Sequence, residues 1–123
     1  MADSVAPESI PDSDALYKWI HPLHYVDEHI LSAAFTNTQM SVNWAKRSTA
    51  EQTARSDSPL VVSLIAGFCR GLGQTVEHKP LGSDDPSGPN LAHAEVIGKK
   101  TGATKTKLRD SAVVAWRRPP ATS

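Results

Sequence analysis

The apolar residues of this chain lie in short segments, and this limits the folds that the chain can adopt. The longest nearly apolar run, from Pro59 to Cys69, has 11 residues and includes Ser63 and Gly67. A membrane-spanning helix needs about 20 consecutive apolar residues, so the sequence predicts no membrane span. Short apolar segments bounded by Pro and Gly are typical of strands joined by turns and loops.

The length of the chain predicts a single domain. With 123 residues, the chain has about the commonest size of one domain. Folding at this length buries roughly two-thirds of the surface that the unfolded chain exposes, enough for one modest core. We expect a disordered acidic leader over residues 1–13, one α+β domain over residues 14–118 and a tail over residues 119–123.

The N-terminus and the single cysteine indicate a cytoplasmic protein. The first residues are acidic and lack the basic and apolar regions of a secretory signal. Cys69 is the only cysteine, so an internal disulfide cannot form, which fits a reducing compartment. We therefore expect a soluble protein in the cytoplasm.

Alternation of large apolar residues with polar or small ones predicts most of the strands. Met40, Val42 and Trp44 alternate in this way, and residues 91–97 repeat the pattern with His93 and Glu95 on one side. The predicted strands cover residues 15–20, 33–36, 40–45, 60–65, 74–79 and 91–97. The three tryptophans fall in predicted elements and are expected in the core.

Helices are predicted to be few. Residues 48–51 match a capping box, which predicts a short helix ending near residue 55. Residues 66–72 are expected to form a short helix or turn, and residues 80–90 a loop. A C-terminal helix over residues 105–116 is predicted by apolar residues at helical spacing, Leu108, Ala112, Ala115 and Trp116. The predicted class is α+β, with a mixed or antiparallel sheet covered by the C-terminal helix.

Charges are distributed unevenly along the chain, although the net charge is zero. Residues 1–28 carry six acidic residues and one basic residue, whereas residues 99–123 carry seven basic residues and one acidic residue. Two interpretations are open. Either the two ends compensate each other in the folded protein, or the basic end contacts a phosphate-bearing partner.

His93, Glu95 and His78 are the candidate catalytic residues. Residues i and i+2 of a strand project from the same face, so His93 and Glu95 are expected side by side. A neighbouring carboxylate raises the pKa of an imidazole and fixes its tautomer, which suits general acid–base chemistry. If the strands around residues 74–79 and 91–97 form a hairpin, His78 approaches His93. The alternative is that these are ordinary half-exposed strand histidines.

The basic segment after this strand is the candidate phosphate-binding site. Backbone amides at the start of the C-terminal helix hold anions through unpaired N–H groups and the helix dipole, and lysines add charge. The spacing of a P-loop is absent, and a solvated basic turn is the alternative. The candidate residues are Lys99, Lys100, Lys105, Lys107 and Arg109.

A cluster of histidines lies near residue 25. His21, His24 and His29 stand beside Asp27 and Glu28, and imidazole and carboxylate are zinc ligands. Pro22 disfavours a regular helix that would bring His21 and His24 to one metal. We therefore expect a surface loop with solvated or hydrogen-bonded histidines and no metal site, with metal binding by this cluster as the alternative. The sequence contains no cofactor motif.

Two functions from different classes follow from these observations. The first is a small interaction or accessory protein without catalysis, which binds a protein partner. The second is a nucleic-acid-binding protein, with the basic 99–118 segment on the nucleic acid. In that case His78, His93 and Glu95 form the site of a metal-independent, histidine-dependent ribonuclease. The sequence does not indicate an oligomeric state.

Overall fold

The computed structural model describes residues 6–55, 57–82, 85–86 and 88–119. Its strands are β1 (Ala15–Ile20), β2 (Tyr25–Val26), β3 (His29–Ile30), β4 (Gln39–Trp44), β5 (Leu60–Ile65), β6 (Thr75–His78), β7 (His93–Ile97) and β8 (Val113–Arg117). Its helices are α1 (Ala50–Thr53), α2 (Ala66–Gly71) and α3 (Gly102–Ser111), with 3-10 turns at Pro22–His24 and Ser32–Phe35. This is an α+β fold, as predicted.

Six of the strands form one sheet in the order β6-β7-β4-β1-β5-β8. Every pair of neighbouring strands is antiparallel, so of the two predicted arrangements the antiparallel one is confirmed. β2 and β3 pair separately as a small hairpin. The first strand of the chain therefore lies in the middle of the sheet and the last strand lies at its edge.

The alternating pattern places one face of the sheet in the core. Met40, Val42 and Trp44 of β4 are all buried, and in β7 the buried residues are Ala94 and Val96. The core below this face includes Phe35 from the second 3-10 turn, Cys69 from α2 and Leu108 from α3. Burying a side chain of this size stabilises the fold by about 1.5–3 kcal/mol. We call this side of the sheet the covered face.

Part of the segment predicted as a leader packs on the domain. Ile10 is only 3% exposed and belongs to the core. Glu8 pairs with Lys46 and Arg47, and Asp12 pairs with Arg70. The packed chain thus extends to residues before 14, while residues 1–5 and 120–123 of the expected leader and tail lie outside the described residues.

Three predicted elements differ from the observed ones. Residues 33–36 were expected as a strand, but Ser32–Phe35 is a 3-10 turn that buries Ala34 and Phe35, so an apolar pair was mistaken for a strand. The capping box forms one residue later than predicted, between Thr49 and Gln52. The C-terminal helix ends at Ser111 rather than continuing to residue 116, because the β-branched residues that follow join the sheet as β8.

Two irregularities of the sheet shape its second face. β1 pairs with β5 at six positions but with β4 at only two, Leu16 with Trp44 and Tyr17 with Asn43, so β1 and β4 diverge towards the end of β1. We call this divergence the fork. In the β5–β8 pair, Val62 lies opposite Val114 and Val61 opposite Trp116, which leaves Ala115 as the extra residue of a β-bulge.

The longest described helix, α3, has ten residues. Among the described residues, no helix has the length and apolar character that a membrane crossing requires.

Candidate functional site

The second face of the sheet carries a row of aromatic side chains at one end. Trp19 of β1 lies opposite Val61 of β5, which in turn lies opposite Trp116 of β8. Directly paired residues of an antiparallel sheet point to the same side, so both tryptophans stand on one face with Val61 between them. Neighbouring strands are about 4.8 Å apart, which separates the two tryptophan backbones by about 10 Å. We call this side of the sheet the open face.

The β-bulge determines where Trp116 points. If the same sequence paired regularly beyond Val62 and Val114, Ala115 would lie opposite Val61 and Trp116 opposite Leu60, whose side chain belongs to the core. A shift of one residue exchanges the two faces of a strand. The bulge therefore moves Trp116 from the covered face to the open face, beside Trp19. Sequence reasoning placed both tryptophans in the core, whereas both are half-buried on this second face.

Cations lie over both indole rings. The Arg55 guanidinium carbon is 5.4 Å from the centre of the Trp19 ring, and Lys18 Nζ is also 5.4 Å from it. Arg118 lies 5.3 Å from the ring centre of Trp116. Each distance is within the range of a cation–π interaction. Lys18 lies opposite the core residue Val62, so its side chain leaves β1 on the covered face, and it is its Nζ that lies near the Trp19 ring. We call Lys18, Arg55 and Arg118 the cationic cluster.

No carboxylate of the described residues forms an ion pair with the cationic cluster. Arg118 donates hydrogen bonds to the backbone carbonyls of Ser58 and Arg55, at 2.8 and 2.7 Å. Lys18 is half-buried, and burial together with the charge of Arg55 lowers its pKa from 10.5 to about 8. Positive charge is thus concentrated here, and no carboxylate in the described part of the chain pairs with it.

Two histidine rings extend the row of aromatic side chains beyond Trp19. The His21 ring lies 6.2 Å from the Trp19 ring, and the His24 ring lies 5.8 Å from that of His21. Burial and the nearby His21 and Lys18 lower the pKa of His24. Among the described residues, no group of three or more His, Cys, Asp or Glu is arranged to hold a metal ion. The cluster around His21, His24 and His29 therefore has no geometry that supports metal binding.

A cavity of about 590 Å³ opens on the open face above the fork. Trp19 forms part of its wall, so the cavity adjoins the aromatic row. The polar side chains that line it come from β4, β7, α1 and the loop before β7. They include Ser41, Asn43, Thr53, Asn90 and His93.

The amide side chains of the cavity form a continuous hydrogen-bond chain. The Ala92 N–H donates to Asn90 Oδ1 at 3.1 Å, and Asn90 Nδ2 donates to Asn43 Oδ1 at 2.9 Å. Asn43 Nδ2 then donates to Thr53 Oγ1 at 3.1 Å. The Thr53 hydroxyl donates to the carbonyl of Thr49 at 2.9 Å. These contacts hold both amides in fixed positions at the cavity.

His93 lies at the opposite side of the same cavity. Its Nδ1 is 3.0 Å from the carbonyl oxygen of Lys79, which can only accept, so Nδ1 donates. The Nε2 of the neutral ring is then an acceptor, and the Ser41 hydroxyl lies 3.4 Å from it. Glu95 is on the same face, as predicted, but its carboxylate pairs with Lys79 Nζ at 3.1 Å.

The structure does not bring His78 to His93. His78 lies opposite Ala94, on the covered face, and is 2% exposed. Its Nδ1 accepts from the Glu8 N–H at 3.0 Å, and its Nε2 donates to the carbonyl of Leu91 at 2.8 Å. The ring also meets Trp44 edge-on, at 5.0 Å. The predicted hairpin forms, but its pleat sends the two histidines to opposite faces, and His78 has the contacts of a core residue.

The predicted phosphate-binding residues are not gathered at one site. Lys100 is buried, and its Nζ donates to the carbonyl oxygens of Thr38, Val96 and Gly98 at 3.0–3.3 Å. Burial lowers its pKa. Thr101 caps α3 by accepting from the Thr104 N–H.

The remaining four predicted residues lie on or next to α3. Arg109 pairs with Asp110 at 3.0 Å, and Lys99 and Lys107 are exposed, with Lys105 half-buried. Because Leu108 packs α3 on the covered face, these residues lie on the side of the sheet away from the cavity. A phosphate contact by them stays a prediction separate from the open face.

Sequence reasoning missed the residues that form the open-face site. Lys18 and Trp19 belong to residues 15–20, of which five are apolar. This composition does not indicate which side chains point to which face of the sheet. Arg55 lies at the end of a predicted helix. Arg118 was considered only as one of the basic residues near the C-terminus. Their proximity depends on strand register, which no local pattern reveals.

No family model, curated protein sequence or solved structure matches this chain.

Proposed function

We propose that this protein binds single-stranded nucleic acid on its open face. The observation that carries the proposal is the cationic cluster beside two tryptophan rings, which has no carboxylate partner among the residues that the structure describes. Bases stack on Trp19 and Trp116, and the phosphates contact Lys18, Arg55 and Arg118. Proteins that bind single strands combine aromatic stacking platforms with positive charge along the backbone in this way.

The half-buried Lys18 supports an anionic ligand in particular. Buried charges in proteins are normally paired, because removing an ion from water is costly. Lys18 instead lies near a second cation, Arg55, and forms no ion pair with any described carboxylate. A phosphate bound between Lys18 and Arg55 offsets the repulsion between these two cations. It also stabilises the protonated form of the Lys18 amine.

A binding role agrees better with the geometry than cleavage by two histidines. General acid–base cleavage needs a base and an acid on the same side of the substrate, and His78 is on the covered face. His93 and Glu95 remain the candidates for chemistry on the open face, and a ribonuclease activity stays a prediction. The proposal for binding does not depend on it.

The test is the fluorescence anisotropy of labelled 12-nucleotide RNA and DNA strands at 50 and 200 mM salt. We expect binding that weakens with salt, because binding releases counter-ions from the phosphates. Trp19→Leu is expected to weaken binding about fivefold or more, since one base–aromatic stack contributes about 1–3 kcal/mol. Arg55→Gln, at an exposed position, is expected to lower the slope of log K against log salt by about 0.7.

Lys107→Gln distinguishes binding on the open face from the phosphate contact predicted on α3, because this exposed lysine lies on the other side of the sheet. It is expected to leave affinity and salt slope nearly unchanged. The proposal is rejected if neither strand binds at 50 mM salt, or if Trp19→Leu and Arg55→Gln both bind like the unchanged protein. A denaturing gel of the same samples reports cleavage and tests the ribonuclease prediction separately.

A protein partner is the second candidate, and edge strand β8 is the observation that favours it. Val113 and Val114 of this strand are 63% and 36% exposed. Edge strands present unpaired backbone groups that accept another strand. Val113→Ser makes this edge less apolar and adds no charge to the open face, so it is expected to weaken a contact with a protein partner without changing nucleic-acid binding. Comparing pull-down and anisotropy of the unchanged protein and this variant distinguishes the two functions.

A further inference from the structure

The cavity at the fork is large enough for a small molecule and its polar groups have fixed roles. Its volume of about 590 Å³ lies within the 300–1,000 Å³ typical of ligand sites. It opens beside Trp19, the aromatic wall that it shares with the nucleic-acid face proposed above.

The hydrogen-bond chain fixes the orientation of both amides. The Ala92 N–H only donates, so the atom of Asn90 that faces it must be the oxygen. Asn90 therefore presents Nδ2 to Asn43, whose facing atom must be its oxygen. The Thr53 hydroxyl donates to a carbonyl, which leaves it free to accept from Asn43 Nδ2. Neither amide can flip without breaking this chain.

Each amide keeps unused hydrogen-bonding capacity. An amide nitrogen has two hydrogens and an amide oxygen has two lone pairs. The contacts above use one hydrogen of Asn43 and one of Asn90, so each side chain has a second N–H to offer. On the other side of the cavity, the Ser41 hydroxyl donates to His93 Nε2, so Ser41 Oγ keeps its lone pairs as acceptors. The cavity thus holds a fixed set of donors and acceptors beside an indole ring.

We propose that the fork cavity binds one unstacked nucleobase of the strand and reads its edge through Asn43 and Asn90. A nucleobase is flat, stacks on an indole, and carries donors and acceptors on its edge, and single-stranded nucleic acids are read in this way by stacking and edge hydrogen bonds. Asn side chains are among those that make paired hydrogen bonds to base edges. The proposal rests on the proposed function and adds a base preference to it.

The experiment compares four nucleoside 5′-monophosphates with ribose 5-phosphate, which carries the same sugar and phosphate but no base. Dissociation constants are measured by NMR titration of the full chain, with the side-chain NH₂ signals of Asn43 and Asn90 as local reporters. We expect at least one nucleotide to bind about tenfold or more tightly than ribose 5-phosphate. That nucleotide alone is expected to shift the two NH₂ signals strongly.

Asn90→Ala removes the centre of the amide chain and is expected to reduce the tenfold preference to about twofold. Asn37→Ala is the matched control, because Asn37 is exposed and outside the cavity lining. If Asn90→Ala does not fold, the NH₂ shifts of the unchanged protein still decide the question.

Two results overturn the base pocket. One is that all four nucleotides bind within twofold of ribose 5-phosphate. The other is that the base-dependent shifts fall outside the cavity. In either case, salt-dependent binding of the 12-nucleotide strands would still support the nucleic-acid function. If neither the strands nor the nucleotides bind, both the nucleic-acid function and the base pocket are rejected.

Discussion

Replacing Lys18 with methionine is expected to stabilise this protein at neutral pH. Lys18 alternates in β1 with Leu16 and Ile20, which are fully buried, and its ammonium group forms no ion pair with a described carboxylate. Methionine has a similar length and no charge, so Lys18→Met removes the cost of burial without opening a cavity. A residue that destabilises the free protein is expected where a ligand supplies the missing charge.

The size of the effect follows from the pKa of Lys18. Burial and Arg55 lower this pKa from 10.5 to about 8, which corresponds to about 3 kcal/mol of stability lost at pH 7. Between pH 8 and 10.5 the unfolded chain holds a proton that the folded chain has released. Stability of the unchanged protein therefore rises with pH in this window. The advantage of Lys18→Met is expected to fall from about 3 kcal/mol at pH 7 to about 1 kcal/mol at pH 10.

Urea unfolding of both proteins at pH 7 and pH 10 measures this difference. Taking the difference between the two proteins cancels the titration of groups that they share. Lys107→Met at an exposed position is the control, and its stability is expected to stay within about 0.5 kcal/mol at both pH values. A gain below about 1 kcal/mol at pH 7, or a gain that does not change with pH, would refute the reasoning about Lys18.

Three further substitutions or reactions test the described core. His78→Ala removes two hydrogen bonds and the edge contact with Trp44, and is expected to cost about 2–4 kcal/mol in urea unfolding. Lys100→Met leaves three carbonyl oxygens without their donor and is expected to cost about 1–3 kcal/mol, whereas Lys99→Met should change stability by less than about 0.5 kcal/mol. Burial raises the pKa of the Cys69 thiol to about 11. A thiol reagent at pH 7.5 is therefore expected to react with the protein unfolded in urea and not with the folded protein. Rapid reaction without urea would contradict the burial of Cys69.

The parts of the fold that depend on local pattern were predictable. Alternation identified both β4 and β7, and in β4 it also placed Met40, Val42 and Trp44 together on the buried face. β5 was predicted from a different pattern, a continuous β-branched run bounded by Pro59 and Gly67. The class of the protein followed, because few helices interrupted many strands.

The parts that depend on pairing between distant segments were not predictable. Whether Trp19 faces the core or the second face is decided by its register with Val61, 42 positions away in the sequence. His78 and His93 were correctly placed on neighbouring strands. However, a shift of one residue in the pairing of these strands decides whether the two side chains share a face or lie on opposite faces. The role of Lys100 depends on three carbonyls that its folded surroundings bring together. Charge counting could not distinguish this lysine from its exposed neighbour.

The extra residue in β8 has an evolutionary consequence. Deletion of the single codon for Ala115 would turn β8 into a regular strand, with Val114 still opposite Val62 and Trp116 still opposite Val61, so both tryptophans would stay on the binding surface. The five other strands of the sheet would keep their pairing, because β8 is at the edge and no strand follows it there. Position 115 is therefore a place where descendants of this protein can lose one residue while the recognition surface and the ancestral core are both retained.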